Sequence, residues 1–192
     1  MSATGWRHFG TPIAATVITL PFAAMLIMLL ARRRQHAGVD PAWALRSAFA
    51  EVAMIVGTVP WVWMILTPDP GHARGRNLVP FRDLANQFHV GLTFAAIQIG
   101  GNLLVFASLG FFLPIRFRLG PGFVLALGIV CSTTVETLQW VLRLGRFSSV
   151  DDVIVNAAGA LIGAFCAMPW WRSRLPAAAP LRAGASVDLE VA

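Results

Sequence analysis

The sequence predicts an all-α fold, a polytopic membrane bundle of about five transmembrane helices with its amino terminus outside and its carboxyl terminus cytoplasmic. Three observations lead there. Hydrophobic residues make up 57% of the 192-residue chain and charged residues only 12%, with a mean hydropathy of +0.69, a balance that would leave a soluble domain with an apolar surface. Apolar runs of membrane length recur five times, and a helix needs about 20 residues to cross a hydrocarbon core of roughly 30 Å. All fifteen basic residues are Arg, and they are unevenly shared between the ends of those runs.

The first span covers about 12–31 and stops at Arg32, Arg33 and Arg34. It is longer than a signal-peptide core, and its positive cluster follows it, with no small-residue cleavage site, so it reads as a retained helix. The second span covers about 42–67 and carries Glu51 in mid-span, with Arg46 near the cytoplasmic end as a candidate partner. The third, about 91–114, is interrupted only by Gln98 and Asn102; the fourth, about 122–142, holds Glu136 and Gln139. The fifth, about 150–171, begins at the pair Asp151 and Asp152 and holds Asn156. Positive loops stay cytoplasmic, so the triple Arg sets the first turn inside and places nine of the fifteen Arg on that side, among them Arg116, Arg118 and Arg172. All seven Trp lie at predicted helix ends, the headgroup level that indoles favour. Residues 1–171 form one membrane domain in this reading. The Ala- and Pro-rich stretch 172–192 lacks hydrophobic periodicity and is expected to be a disordered cytoplasmic tail.

Other classes receive little support. The Arg residues are spread over loops rather than clustered on one face, which speaks for lipid headgroups and against nucleic acid. Four scattered His residues lack ligand spacing, so no metal or other cofactor is expected. Cys131 and Cys166 lie at different depths of apolar spans and read as small packing residues.

The informative residues are the polar ones that hydrocarbon disfavours. At about 1.5 Å per residue, Glu136 lies about 9 Å below the outer end of the fourth span, and Asn156 about as far below the outer start of the fifth. Gln98 reaches a similar level, and Asn102 lies a turn deeper. Glu136, Gln139 and Arg143 fall at i, i+3 and i+7; Asp152, Asn156, Gly159 and Gly163 fall at i, i+4, i+7 and i+11; Gln98 and Asn102 share a face. Small residues let helices approach closely, so the three polar stripes are expected to face each other in the outer half of the membrane. A carboxylate at a helix centre costs roughly 2.5–3.5 kcal/mol, whereas an interhelical hydrogen bond returns about 0.6 kcal/mol. Stability alone therefore gives a poor reason for Glu136, which becomes the candidate functional group. A purely structural arrangement remains open beside it. In that arrangement Glu136 and Gln139 clasp Asn156, Arg143 or Arg146 satisfies Asp151 and Asp152, and Ser148 or Ser149 caps the fifth helix.

Four blocks in order, "NLVPF", "GNLLVFASLGFFLP", "STTVETLQ" and "GRFSSVDDVIVNAAGALIG", resemble the VanZ-like family of small integral membrane proteins. The resemblance spans about 77–163 and brings with it Asn77, Pro80 and Phe81; Asn102, Phe106 and Gly110; Glu136 and Gln139; and Arg146, Asp151, Asp152, Asn156 and Gly159. Ser108 stands where the family often has Pro, and Ser149 where it often has a further Asp. The resemblance implies a multi-pass protein of the bacterial plasma membrane, in a family whose founding member is associated with teicoplanin resistance.

Two functions follow as expectations. In the first, a polar cavity formed by Asn102, Glu136, Gln139 and Asn156, with Asn77, Pro80, Phe81, Arg146, Asp151 and Asp152 around it, binds an amphiphilic ligand. That ligand would be a lipoglycopeptide or a lipid-linked wall precursor, alongside the membrane lipids themselves. In the second, the protein is an enzyme on a lipid-linked outer-leaflet substrate with Glu136 as general base and Arg146 on a phosphate. A transporter ranks third, because five spans without repeat halves are few for alternating access.

Overall fold

The computed structural model describes residues 3–68, 75–145 and 147–172; the tail expected over 173–192 lies outside them, as does Arg146. The elements in order are α1 (Ala3–His36), α2 (Pro41–Ile65), β1 (Gly75–Asn77), α3 (Arg82–Val90), α4 (Leu92–Phe117), α5 (Pro121–Val141), β2 (Phe147–Ser149) and α6 (Val150–Arg172). Five helices, α1, α2, α4, α5 and α6, are long and apolar enough to cross a membrane, and they coincide with the five predicted spans. The short α3, β1 and β2 lie in connections that the sequence reading left irregular.

Local chemistry sets the helix ends. Arg33, Arg34 and His36 occupy the last turn of α1, where cations meet the negative end of the macrodipole, and Gly38 turns the chain at φ 81°. Asp40 caps α2 by accepting the Trp43 N–H at 2.9 Å, with Pro41 in the first turn. Pro121 opens α5 in the same way, and Arg143 and Gly145, both at positive φ, turn the chain out of it.

The centre of the bundle is the parallel pair α4 and α6, with α5 running antiparallel beside α6 and α2 covering α4. A Cβ added at Gly110 would come within 2.0 Å of the Ala160 carbonyl oxygen, and one at Gly159 within 2.3 Å of the Leu103 carbonyl oxygen. The two helices touch backbone to backbone at these points, the close approach that small residues permit. Around the contact lies an apolar core of Val105, Phe106, Leu113, Val124, Ala160 and Ala164. Ser108, the departure from the family pattern, packs against Gly57 of α2, six residues deeper into the bundle than Asn102. By contrast α1 packs chiefly on α2 and leaves Val17, Ile18, Phe22 and Met25 exposed, as a helix facing acyl chains would.

β1 and β2 pair in parallel, Arg76 opposite Ser148 and Asn77 opposite Ser149. This two-strand ribbon closes one end of the bundle and joins the loop after α2 to the start of α6.

Adding a methyl at Gly110 should overpack a contact with no room to yield, lowering stability by about 1–3 kcal/mol. Gly101→Ala, whose Cβ would meet nothing within 4 Å, should be neutral or slightly stabilising, as expected for Ala over Gly in a helix. Thermal melting of the two purified variants in detergent checks the contrast.

Candidate functional site

The polar residues gather at the end of the bundle where α2 and α5 finish and α4 and α6 begin. Asp151, in the first turn of α6, is only 1% exposed. Its Oδ1 accepts the Phe81 N–H at 2.5 Å, and its Oδ2 accepts the N–H groups of Asp83 at 2.8 Å and Leu84 at 3.0 Å. The chemical reason lies in α3. A helix N-terminus leaves its first N–H groups without partners, and the residue at the cap position, Phe81, has no side chain able to accept them. Asp151 supplies the missing cap from another helix. Ser149 in turn caps α6 by accepting the Asp151 N–H at 3.1 Å. The approach to α3 is shaped by buried Asn77, whose Oδ1 accepts the Val79 N–H at 3.0 Å, and by the left-handed Phe81 at φ 65°. Pro80 is exposed and Phe81 is 64% exposed, so this pair contributes backbone shape and an outward apolar surface.

Below the cap, α5 and α6 meet in a series of rungs. Gly128 lies against Ala160. The Asn156 Nδ2 donates to Ser132 Oγ at 2.8 Å. Glu136, 9% exposed, accepts at Oε2 the Ser148 hydroxyl at 2.8 Å and the Ser149 N–H at 2.9 Å. From α4, Asn102 Nδ2 donates to Asp152 Oδ1 at 2.7 Å. Gln139 Nε2 donates to the Ile65 carbonyl at 3.2 Å, which satisfies one of the free carbonyls at the end of α2.

The result is an environment rich in acceptors. Asp152 lies within electrostatic range of Glu136, Asp83 and Asp151, and among the described residues none of these four carboxylates has an ion pair. Asn156, 4% exposed, has an Oδ1 without a hydrogen-bond partner among the described residues, and so have the buried Asp83 Oδ2 and Gln87 Oε1. Asp83 and Gln87 stand at i and i+4, on one face of α3. Buried polar atoms ordinarily find partners, so three open acceptors beside one open donor, the Asn77 Nδ2, favour a bound group that chiefly donates. Among the described residues no group of three or more His, Cys, Asp or Glu is placed to hold a metal ion.

Several expectations need correction. Glu136 does not clasp Asn156: its carboxylate is taken by Ser148 and Ser149, and Asn156 bonds Ser132. Asp151 is satisfied by main-chain N–H groups in the interior rather than by Arg143, which is exposed; Arg146 lies outside the described residues. Gln98 is exposed, because Asn102, not Gln98, is level with the start of α6, and the first turns of α4 overhang it. Glu51 belongs to the other end of the molecule and pairs with Arg34 and Arg116 rather than Arg46. Ser132, Asp83 and Gln87 were missed, although Ser132 precedes Glu136 by one turn and Asp83 and Gln87 repeat at helical spacing.

A family model described as VanZ/LLP1 matches residues 52–172, a stretch that contains every polar residue of this end of the bundle. No curated protein and no solved structure matches the chain.

Removing the carboxylate in Asp151→Ala strands three N–H groups and should cost about 2–4 kcal/mol, from charge-assisted bonds and a lost helix cap together. Hydrogen exchange should locate the damage: the amides of 81–84 should exchange about tenfold faster or more, while those of the α4–α6 contact remain protected.

Proposed function

The chain belongs to the VanZ/LLP1 family, and from that premise we propose that it binds the polar head of an amphiphilic cell-envelope ligand between α3, α4, α5 and α6. In this reading the protein is a multi-pass component of a bacterial plasma membrane, with the polar end of the bundle in the outer half. The nine Arg assigned to the opposite side support that orientation. The ligand is a lipoglycopeptide of the teicoplanin type or a lipid-linked wall precursor, its acyl chain lying along the apolar helix surfaces and its head below α3.

The observation that carries the reading is the set of open acceptors beside Asp152. A polar group within a membrane span is costly and by default marks a functional site. Here the open amide oxygen of Asn156 and the unpaired carboxylate oxygen of Asp83 call for N–H or O–H donors. Hydroxyl, amide or ammonium groups of a sugar or peptide headgroup supply them. The same geometry favours binding over proton transfer. Glu136 Oε2 already accepts two hydrogen bonds inside the protein, so this oxygen holds β2 in place instead of facing a reacting group.

Cells that express the protein are expected to tolerate several-fold more of an acylated glycopeptide than vector controls, with no change for a matched glycopeptide lacking the acyl chain. Asp152→Asn should abolish the difference while the protein remains in the membrane at normal abundance. Tolerance equal to the vector control, or equal gain for both compounds, contradicts the proposal.

A further inference from the structure

At the end of the bundle opposite the polar site, three guanidinium groups line a single stripe of α2. Trp43, Ser47 and Glu51 fall at i, i+4 and i+8 and so share one face. Arg34, from the last turn of α1, donates from Nη1 to Ser47 Oγ at 2.9 Å and from Nη2 to Glu51. Arg116, from the last turn of α4, donates from Nε to the same Glu51 Oε2 at 2.7 Å. Arg118 follows at the C-cap of α4 and holds its guanidinium carbon 5.8 Å from the centroid of the Trp43 ring.

The charges do not balance. Glu51 is one anion against three cations, and Asp40, at the start of the same helix, is engaged with the Trp43 N–H. Arg116 meets Glu51 through Nε and stacks over the Phe117 ring, and its two terminal nitrogens have no hydrogen-bond partner among the described residues, while the exposed Arg118 presents its fork of donors. Arg118 also sits in the left-handed region at φ 56°, ψ 40°, held there by its N–H bond to the Pro114 carbonyl at 2.8 Å. A left-handed residue is a common way for a helix to end. Here it turns Arg118 back over Trp43.

We propose that Arg116 and Arg118, backed by the Trp43 ring, form a docking site for the phosphodiester headgroup of an anionic phospholipid. Planar guanidinium forks match phosphate oxygens in pairs, and an indole at a helix end lies at headgroup depth. Glu51 does not oppose the ligand; it orients Arg116 from behind and prevents the two buried-side guanidiniums from repelling each other. The site uses no residue of the polar end and stands independently of the function proposed above.

Native mass spectrometry of the full chain, stripped of lipid and reloaded with phosphatidylglycerol or phosphatidylcholine, tests it. The wild type is expected to retain phosphatidylglycerol in preference. Arg118→Gln should weaken that retention about fivefold, the effect of one basic residue at a membrane surface, and Arg118→Lys should restore part of it. Arg32→Gln, which removes the same charge outside the site, should leave retention unchanged. Equal losses in Arg32→Gln and Arg118→Gln, no preference between the two lipids, or displacement of the lipid by an equal concentration of inorganic phosphate would each overturn the proposal. Melting temperatures of the variants, expected to match the wild type, separate lost binding from lost fold.

Discussion

Asp151 holds main-chain N–H groups of a segment about 70 residues upstream, and the architecture of the polar end rests on that tie. Two helix N-termini converge on this carboxylate, that of α6, to which it belongs, and that of α3, which it caps. Both present partial positive charge, so the carboxylate is stabilised inside the protein without an ion pair among the described residues. The usual penalty for burying a charge is offset by hydrogen bonds that would otherwise be missing at both helix ends. Once α3 is fixed, Asp83 and Gln87 point inward, β1 lies beside β2, and Ser148 and Ser149 come within reach of Glu136. The two sequence blocks that look unrelated along the chain, 77–81 and 148–152, are halves of one hydrogen-bonded structure.

The second constraint lies deeper. Gly110 and Gly159 let α4 and α6 meet through their backbones, which brings Asn102 within hydrogen-bond distance of Asp152. Ser132 and Gly128 perform the same service on α5, one by bonding Asn156 and the other by admitting Ala160. The small residues thus set the interhelical distances, and the amides and carboxylates fill the space that remains. At the far end, the Glu51 cluster joins α1, α2 and α4 with a separate set of charges, so that the two ends of the bundle are organised by opposite signs, acidic where α3 caps the site and basic where α1 turns into α2.

The sequence made the five spans legible because membrane length and apolarity are properties of composition over 20 residues and survive any tertiary context. It also made legible that the stripes bearing Asn102, Asp152, Glu136 and Asn156 face one another, since residues three, four or seven apart share a helix face, whereas depth alone put Gln98 at the level that Asn102 holds beside Asp152. The partners were not legible. The register of α4 against α6 depends on which glycines touch, and a shift of one turn separates Asn102 from Gln98. The strands β1 and β2 contain three residues each, too few to show alternation, and they pair across an interval that includes two whole spans. The nine residues of α3 follow a Pro and lack a cap of their own, so nothing local announces a helix whose cap comes from Asp151. Glu51 is mid-span by its place in α2 alone; the ends of α1 and α4 bring their Arg side chains to its level.

The central claim, that Asp151 fastens the 75–84 segment onto α6, is most directly tested by disulfide trapping across the ribbon. Cysteines placed at Gly75 and Phe147, opposite each other in the parallel register, are expected to cross-link rapidly in native membranes when Asp151 is present. The cross-link should largely disappear when Asp151→Asn is added. Equal cross-linking with and without the carboxylate, or none in either, would contradict the account.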